Sequence, residues 1–563
     1  MRILDSRRLT GANLLMDAPG AVAELACPDD EIEAVIDAWR EQARAMLDRV
    51  GLGPATLHVR RYAGGASLGF TAPIDVLYAA TDVNEAALEA AQALARGKAP
   101  PSFDHTCSRL VRSCERERSP RLLALAASAA AHGLVFLSDD DFATAGLGTG
   151  SCSWPTNDLP HPDEVDWAAL HDVPVLLVTG TNGKSTTVRL TAEMVRQAGL
   201  VPGLSSTDWI RVGDDVLDTG DYSGPGGARA VLRDRRTQVA ILETARGGLL
   251  RRGLGCPRAT AAAVLNVAED HLGEWGIGDL AGLVEVKFLV SKALGSEGRL
   301  VLNADEAPVR ARGTRSGHTP FWFGLESDQE QMGEAAATGG DACFVRDGVL
   351  QLVRAGKTQA LVAEREIPIT LGGRARFNTS NALAASALAS CAGLPVEAIR
   401  AGLRAFESSP DANPGRGNVF ELDGVTVFAD FAHNPHGTRA LFEMARAFEP
   451  RRALVLLGQA GDRQDDEIRA LVEATWQGRP DKIIIKEMKA HLRGRPQGEM
   501  VALIERELLR AGAPREVIEH APSEVAAVQQ ALRWAQPGDL LLLLLHAQRE
   551  EALALLEAAR ATP

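Results

Sequence analysis

Residues 173–190, VPVLLVTGTNGKSTTVRL, constrain the fold more than any other stretch of the chain. The apolar, β-branched run Val173 to Val178 ends in the turn Gly180-Thr181-Asn182-Gly183, and Lys184-Ser185-Thr186 lead into a helical pattern beginning near Val188. A strand, a phosphate-sized loop and a helix start predict a nucleotide-binding α/β unit. Glycines let the backbone present N–H groups to phosphate oxygens, and the helix N-terminus, Lys184 and a Mg2+-binding hydroxyl at Ser185 or Thr186 complete the cradle. The strict eight-residue P-loop pattern fails, because Val178 stands where its first glycine belongs. A chance Gly-Lys-Ser surface turn is the alternative, but the flanking strand and helix are what phosphate binding requires.

At 563 residues the chain is too long for one hydrophobic core and predicts about three or four domains. Residues 1–100 read as a small α/β domain: Glu31 to Val50 and Asn84 to Ala95 have helical spacing, and Ala55 to Tyr62 has strand character. The segment GLGTGSCSWPTNDLPHPDE is expected to be a linker, and SSPDANPGRGNVF marks a second boundary near residue 411. The expected domains are therefore 1–160, 161–411 and 412–563. The net charge of −14, spread along the chain, argues against nucleic acid or an anionic membrane as partner. Seven scattered cysteines without a C-x-x-C pair suggest reduced thiols and a cytoplasmic location. The charged N-terminus is unlike a signal peptide, and the leucine run Leu540 to Leu545 reads as a buried strand rather than a membrane span.

Beyond Val173 the pattern repeats strand, turn and helix, as in a doubly wound parallel sheet that binds ligands at the carboxyl ends of its strands. Glu243 ends the apolar strand Val239 to Leu242, where an acid can hold Mg2+ opposite the loop hydroxyl. Asn266, Asp270 and His271 follow another strand, and His271 reads either as a ligand of a second metal or as an ordinary polar turn residue. Lys287 lies in Gly282 to Phe288, at the expected start of a helix, ahead of a strand from Arg299 to Leu302. Residues 325–366 fit a sheet insertion or hairpin. Asn378 and Asn381, three residues apart, share one helical face, with helix capping an alternative for Asn378. Beyond residue 411 strands resume at Val425 to Ala429, Ala453 to Gly458 and Lys482 to Lys486, as in a third, open α/β domain. Its strand ends carry Asp430, His433 and Asn434, then Asp462, Glu487, Arg493 and Glu499.

The strings TGTNGKSTT, LETARGGLLRRGL, VLNVAEDHLG, NADE, FNTSNALAA, DFAHNP, GDRQDDEI and the KE…RGRPQGE run resemble the Mur ligase superfamily, most specifically the ligase module of cyanophycin synthetases. The opening MRILDSRRLTGANLL and LGTGS resemble the N-terminal region of the same synthetases, with no ATP-grasp module between them, so cyanophycin polymerisation by this chain alone is not expected. The resemblance implies a three-domain α/β architecture: a small N-terminal α/β domain, a candidate for substrate binding with tethering or mere packing as alternatives, a central P-loop domain binding ATP, and a C-terminal Rossmann-like domain binding the amine substrate. It further implies an acyl-phosphate route to an amide, releasing ADP and phosphate. Gly180, Thr181, Asn182, Gly183, Lys184, Ser185 and Thr186 would hold ATP and Mg2+, with Glu243 completing the first metal site and His271 contributing to a second. Lys287 aligns with a family lysine that is often carbamylated; an unmodified, solvated lysine is the alternative. Asn378 and Asn381 would face the adenine, Arg416 the γ-phosphate and Asp430 the nucleoside, with His433 and Asn434 close by. Asp208, Ser223 and Arg246 fall where the family meets its carboxylate acceptor, and Asp462, Glu487, Arg493 and Glu499 where it meets the amine. The Tyr222-Ser223 pair departs from the family pattern and leaves the acceptor open. The expected partners are small amino-acid, carboxylate or peptide substrates, with homo-oligomerisation left open. A carboxylate kinase and a catalytically silent nucleotide-binding scaffold are the competing readings.

Overall fold

The computed structural model describes residues 1–270, 272–326, 332 and 340–561. Among them four sheets organise the chain. The first is antiparallel throughout, in the order Arg2–Leu9, Gly20–Ala26, Gly65–Thr71, Leu57–Tyr62. Its apolar face packs on the helices Ile32–Arg49 and Leu77–Ala95, around Trp39, Phe70 and Leu68.

The central sheet has eleven strands among the described residues. Val175–Thr179 lies in its interior, parallel to Val239–Glu243 on one side and Ala259–Val264 on the other. All five of its residues are buried, as a strand covered on both faces requires. Leu177 and Leu242 enter one core layer, and Leu176, Val178 and Ile241 the opposite one. Antiparallel strands end the sheet at both edges: Trp209–Val212 with Asp215–Thr219, and the meander Ala342–Arg346, Val349–Arg354, Lys357–Ala363. That meander lies in the segment read as a sheet insertion.

The third sheet runs Asn418–Leu422, Val425–Asp430, Asp539–Leu544, Arg452–Leu457, Lys482–Lys486, Ile518–Ala521, parallel except for its first pair. The leucine run is one of its interior strands and is wholly buried. Among the described residues no helix is long and apolar enough to cross a membrane.

The expected linker is not a free tether. Cys152–Pro155 pairs with Phe142–Ala145, which pairs with Phe136–Ser138, forming a small three-stranded sheet. The Gly-rich turn before it is fastened to the central domain, with Leu147 N donating to His171 O and Thr149 N to Thr237 O. The glycines read as a loop signal allow this close backbone approach instead. Two helices also sit differently from expectation. The helix after the glycine loop begins at Lys184 rather than near Val188, and Lys287 lies in the last turn of Leu280–Phe288 rather than at a helix start.

Candidate functional site

Strand Val175–Thr179 delivers the glycine loop to the carboxyl edge of the central sheet. Gly183 caps the helix Lys184–Gln197 with φ of 84°, and a Cβ there would stand 2.2 Å from Asn381 Oδ1. Only glycine meets both demands. No side chain caps this helix, so its first N–H groups and its positive dipole end face the loop. Lys184 Nζ donates to the carbonyls of Gly180 and Thr181, 3.1 Å each. Asn266, just past the neighbouring strand, braces the loop: its Oδ1 accepts from Asn182 N at 2.8 Å and its Nδ2 donates to Asn182 O at 3.1 Å. Thr181 N donates to Asn266 O at 3.1 Å, and Thr181 Oγ1 accepts from Ala268 N at 3.0 Å.

Glu243, 2% exposed, accepts from Ser185 Oγ at 2.7 Å and Thr207 Oγ1 at 2.6 Å. One carboxylate and two hydroxyls form a hard, oxygen-only donor set, suited to Mg2+, which binds through one or two carboxylates and otherwise through water and phosphate. Accordingly, no cluster of three or more His, Cys, Asp or Glu placed for a metal occurs among the described residues. His271 lies outside the described residues. Its neighbour Asp270 pairs with Arg463 Nη1 at 2.6 Å and stands 3.7 Å from His433 Nε2, joining the two large sheets. Lys287 is 4% exposed rather than solvated; burial, reinforced by Lys184, lowers its pKa to about 7 against the opposing pull of Asp270.

The third sheet closes the site from the other side. Asn434 Nδ2 donates to Asn182 Oδ1 at 2.9 Å, and Asn182 Nδ2 returns a bond to Asn434 Oδ1 at 3.2 Å. Asp430 Oδ1 accepts from Ala432 N at 2.8 Å, and burial pushes its carboxyl up. Asn378 is inside helix Arg376–Cys391 and not at its cap: its Nδ2 donates to Ile369 O, and its Oδ1 accepts from Asn381 Nδ2 at 3.1 Å.

Apart from Asn434, which is 2% exposed and does not line it, the expected ATP-binding groups line one cavity of about 1020 Å³. Its lining includes the residues from Gly180 to Thr186, Glu243, Lys287, Asn378 and Asn381 of the central domain, and Arg416, Asp430 and His433 from beyond residue 411. Ser223 and Arg246 also line it; Ser223 Oγ donates to Asp221 and Arg246 pairs with Glu274. Asp462 and Arg493, paired at 2.5 Å, line it from the third sheet. Three expected substrate residues do not line it. Glu487 is turned inward to accept from Gly498 N at 2.7 Å, and Glu499 pairs with Arg495 at 3.0 Å, 45% exposed. Asp208 is 5% exposed and held by Arg189, by Arg549 at 2.7 Å and by Arg416 at 3.5 Å, so its carboxylate is fully engaged by arginines.

Arg189 and Arg549 are residues that sequence reasoning missed. They come from helices more than three hundred positions apart, and neither falls in a glycine-bearing strand end, the signal that found the others. Thr207 was overlooked for the same reason, although it adjoins Asp208.

Two family descriptions match this chain: Mur ligase middle domain over residues 178–389, and Mur ligase, glutamate ligase domain over 415–544. The chain belongs to the Mur ligase family. This is a family of ATP-using, amide-bond-forming ligases. The Mur ligase chain is 37% identical to cyanophycin synthetase of Trichormus variabilis over 372 residues, which cover 66% of this chain and 41% of the relative. It therefore spans well under half the length of that protein. It is also 30% identical to UDP-N-acetylmuramoylalanine--D-glutamate ligase of Streptomyces coelicolor over 383 residues, covering 66% of this chain and 69% of the relative. Among solved structures, E. coli FolC in complex with DHPP and ADP has a TM-score of 0.48 and 20% identity, covering 68% of this chain and 88% of that one. The P-loop, Glu243 and Lys287 fall in the first matched segment, and Arg416, Asp430 and Asp462 in the second.

Proposed function

We propose that this Mur ligase joins the amine of an amino acid to a carboxylate of a small acid, amino acid or peptide, consuming ATP and releasing ADP and phosphate. The observation that carries this reading is one cavity whose lining includes the glycine loop with Lys184, the Arg246 guanidinium and the Asp462–Arg493 pair. The Arg246 guanidinium suits a carboxylate acceptor. The Asp462–Arg493 pair suits the ammonium and carboxylate of an incoming amino acid. A nucleotide-only scaffold has no use for both.

In this reading residues 161–411 bind ATP, 412–563 bind the amine substrate and 1–160 form an accessory domain of a cytoplasmic enzyme. Gly183, Lys184 and the helix N-terminus hold the phosphates, and Ser185 and Glu243 hold Mg2+, whose contribution when bound is neutralisation of phosphate charge. Lys184 approaches the β- and γ-phosphates from the loop, and Arg416 approaches the γ-phosphate from the third sheet. The acceptor carboxylate takes up the γ-phosphoryl group, the amine displaces phosphate from the activated carbonyl, and the amine proton leaves to solvent. The chain's own task is to orient the partners and exclude water. Lys287, with its pKa lowered to about 7 by burial, has an amine that is substantially neutral near neutral pH and therefore able to add CO2, which replaces a cation by an anion near the phosphate site.

A phosphate-release screen of amino acids crossed with small carboxylates, with products identified by mass spectrometry, tests the reading. ADP and phosphate are expected only when both substrates are present. ADP formed without any amine would indicate a carboxylate kinase. Tight ATP binding without turnover across the panel would indicate the scaffold.

A further inference from the structure

The antiparallel N-terminal sheet precedes both matched family segments, the first of which begins at residue 178. It nevertheless bonds residues that line the cavity, Arg252 and Trp275. Thr10 N donates to Arg252 O and Leu254 N to Ala12 O, both 2.8 Å, bonding the chain after strand Arg2–Leu9 to the end of helix Arg246–Arg252. Arg7 is buried and fixed three ways: its Nε donates to Leu250 O at 3.0 Å, its Nη1 to Asp5 at 2.7 Å and its Nη2 to Glu24 at 2.8 Å. Glu24 also accepts from Ser67 Oγ at 2.7 Å.

The same face grips the turn that carries Glu274. Arg60 Nη2 donates to Trp275 O at 2.5 Å and to Ser67 Oγ at 3.0 Å, while its Nη1 donates to Gly276 O at 3.2 Å. Trp275 is held at φ of 48°, a left-handed conformation that a tryptophan adopts only where its surroundings impose it. Gly276, at φ of 65°, packs so closely that a Cβ would lie 2.2 Å from the Tyr62 ring. The Trp275 indole lies near two guanidiniums, with Arg7 Cζ 5.9 Å and Arg246 Cζ 5.7 Å from its ring. Arg246 also pairs with Glu274.

We propose that the N-terminal domain braces the cavity lining beside Arg246 from behind: Arg60 clamps the Trp275–Gly276 turn and thereby positions Arg246. Arg60 is a positioning residue: it touches backbone carbonyls, and Glu274 and Trp275 pass its constraint to Arg246. The strained Trp275 conformation is what the clamp holds, so its release lets the turn relax away from the cavity. The structural part stands alone, and the consequence for the acceptor rests on the ligase reading.

The test is hydrogen exchange on the full chain without ligand, following the amides of Gly273 and Ile277, which bond Ile277 O at 2.7 Å and Glu274 O at 3.0 Å. Arg60→Ala is expected to speed exchange there at least about tenfold while strand Val175–Thr179 keeps its protection. Gly276→Ala, which drives a methyl into Tyr62, is a second route to the same opening should Arg60→Ala fold poorly. Wild-type exchange in this turn in both variants overturns the clamp. With the acid found in the phosphate-release screen, either opened variant is expected to raise the acid KM about tenfold or more, with kcat and the ATP KM within about twofold. An unchanged acid KM overturns the positioning of Arg246. Faster exchange in a protein whose wild type turns over no acid leaves the clamp standing and removes the ligase reading.

Discussion

Replacing Asp208 by asparagine removes the one carboxylate that Arg189, Arg416 and Arg549 share. Burial alone would raise the Asp208 pKa; Arg416, then Arg189, then Arg549 outweigh it and hold the group at about 2 instead of 3.8. At about 1.4 kcal/mol per factor of ten in acidity, that difference is worth ~2 kcal/mol to the folded state. Asparagine also leaves three guanidiniums facing one another, and removing one partner of a buried ion pair costs about 3–5 kcal/mol. An overall loss of ~2–4 kcal/mol is expected. Arg189 lies in the helix after the glycine loop and Arg549 in the last helix of the third sheet, so the loss falls on the docking of the two sheets. In a chain of several domains the midpoint of the first urea transition, followed by fluorescence, is the proper measure. With a slope of about 2 kcal/mol per M that midpoint should fall by ~1–2 M. A double-mutant cycle with Arg549→Met should show a coupling of at least ~1 kcal/mol. The sign with pH is fixed: the carboxylate contribution is complete above the ordinary pKa of 3.8 and fades as pH falls through about 2. The difference between wild type and Asp208→Asn should therefore narrow below pH 4. A midpoint within about 0.2 M of wild type at pH 7 would refute the reasoning.

Three further outcomes follow from the site. Lys184→Ala should lower turnover about 10²–10³-fold, the usual loss for one preorganised donor to developing charge, and activity within about threefold of wild type would remove Lys184 from the phosphates. Gly183→Ala should abolish ADP binding in a calorimetric titration, because its methyl would meet Asn381 Oδ1 at 2.2 Å; wild-type affinity would mean the loop does not hold phosphate. Lys287→Ala should lose most activity and regain part of it with added short-chain carboxylic acids, which can occupy the place of a carbamate; full activity without rescue would mean that the lysine is unmodified and dispensable. In CO2-free buffer, the unfolded chain binds a proton that folded Lys287 lacks between pH 7 and 10.5. Stability should thus rise with pH across that window, and Lys287→Met should flatten the rise in a series of urea midpoints.

The resemblance of local strings carried much of the site, because phosphate chemistry demands fixed residue types at short spacing. A strand, a glycine turn and Lys184-Ser185 are adjacent in sequence, as is each strand end that carries Glu243 or Asp430. Asp208, Glu487 and Glu499 look alike in the sequence, as acids near strand ends, yet one is enclosed by arginines, one accepts a backbone N–H and one lies on the surface. Which acid faces a cavity depends on partners that are distant in sequence, and periodicity carries no information about them. The same holds for Lys287: its place in a helix is local, but its lowered pKa comes from burial under a sheet and from the approach of Lys184. The chain's amino-acid order alone determined the glycine loop, the alternation of strand and helix and the family. Only the tertiary structure decided that Arg60 of the N-terminal sheet holds Trp275 of the cavity lining, because contacts between residues more than two hundred positions apart are set by how separately folded sheets dock, not by the local spacing of residues.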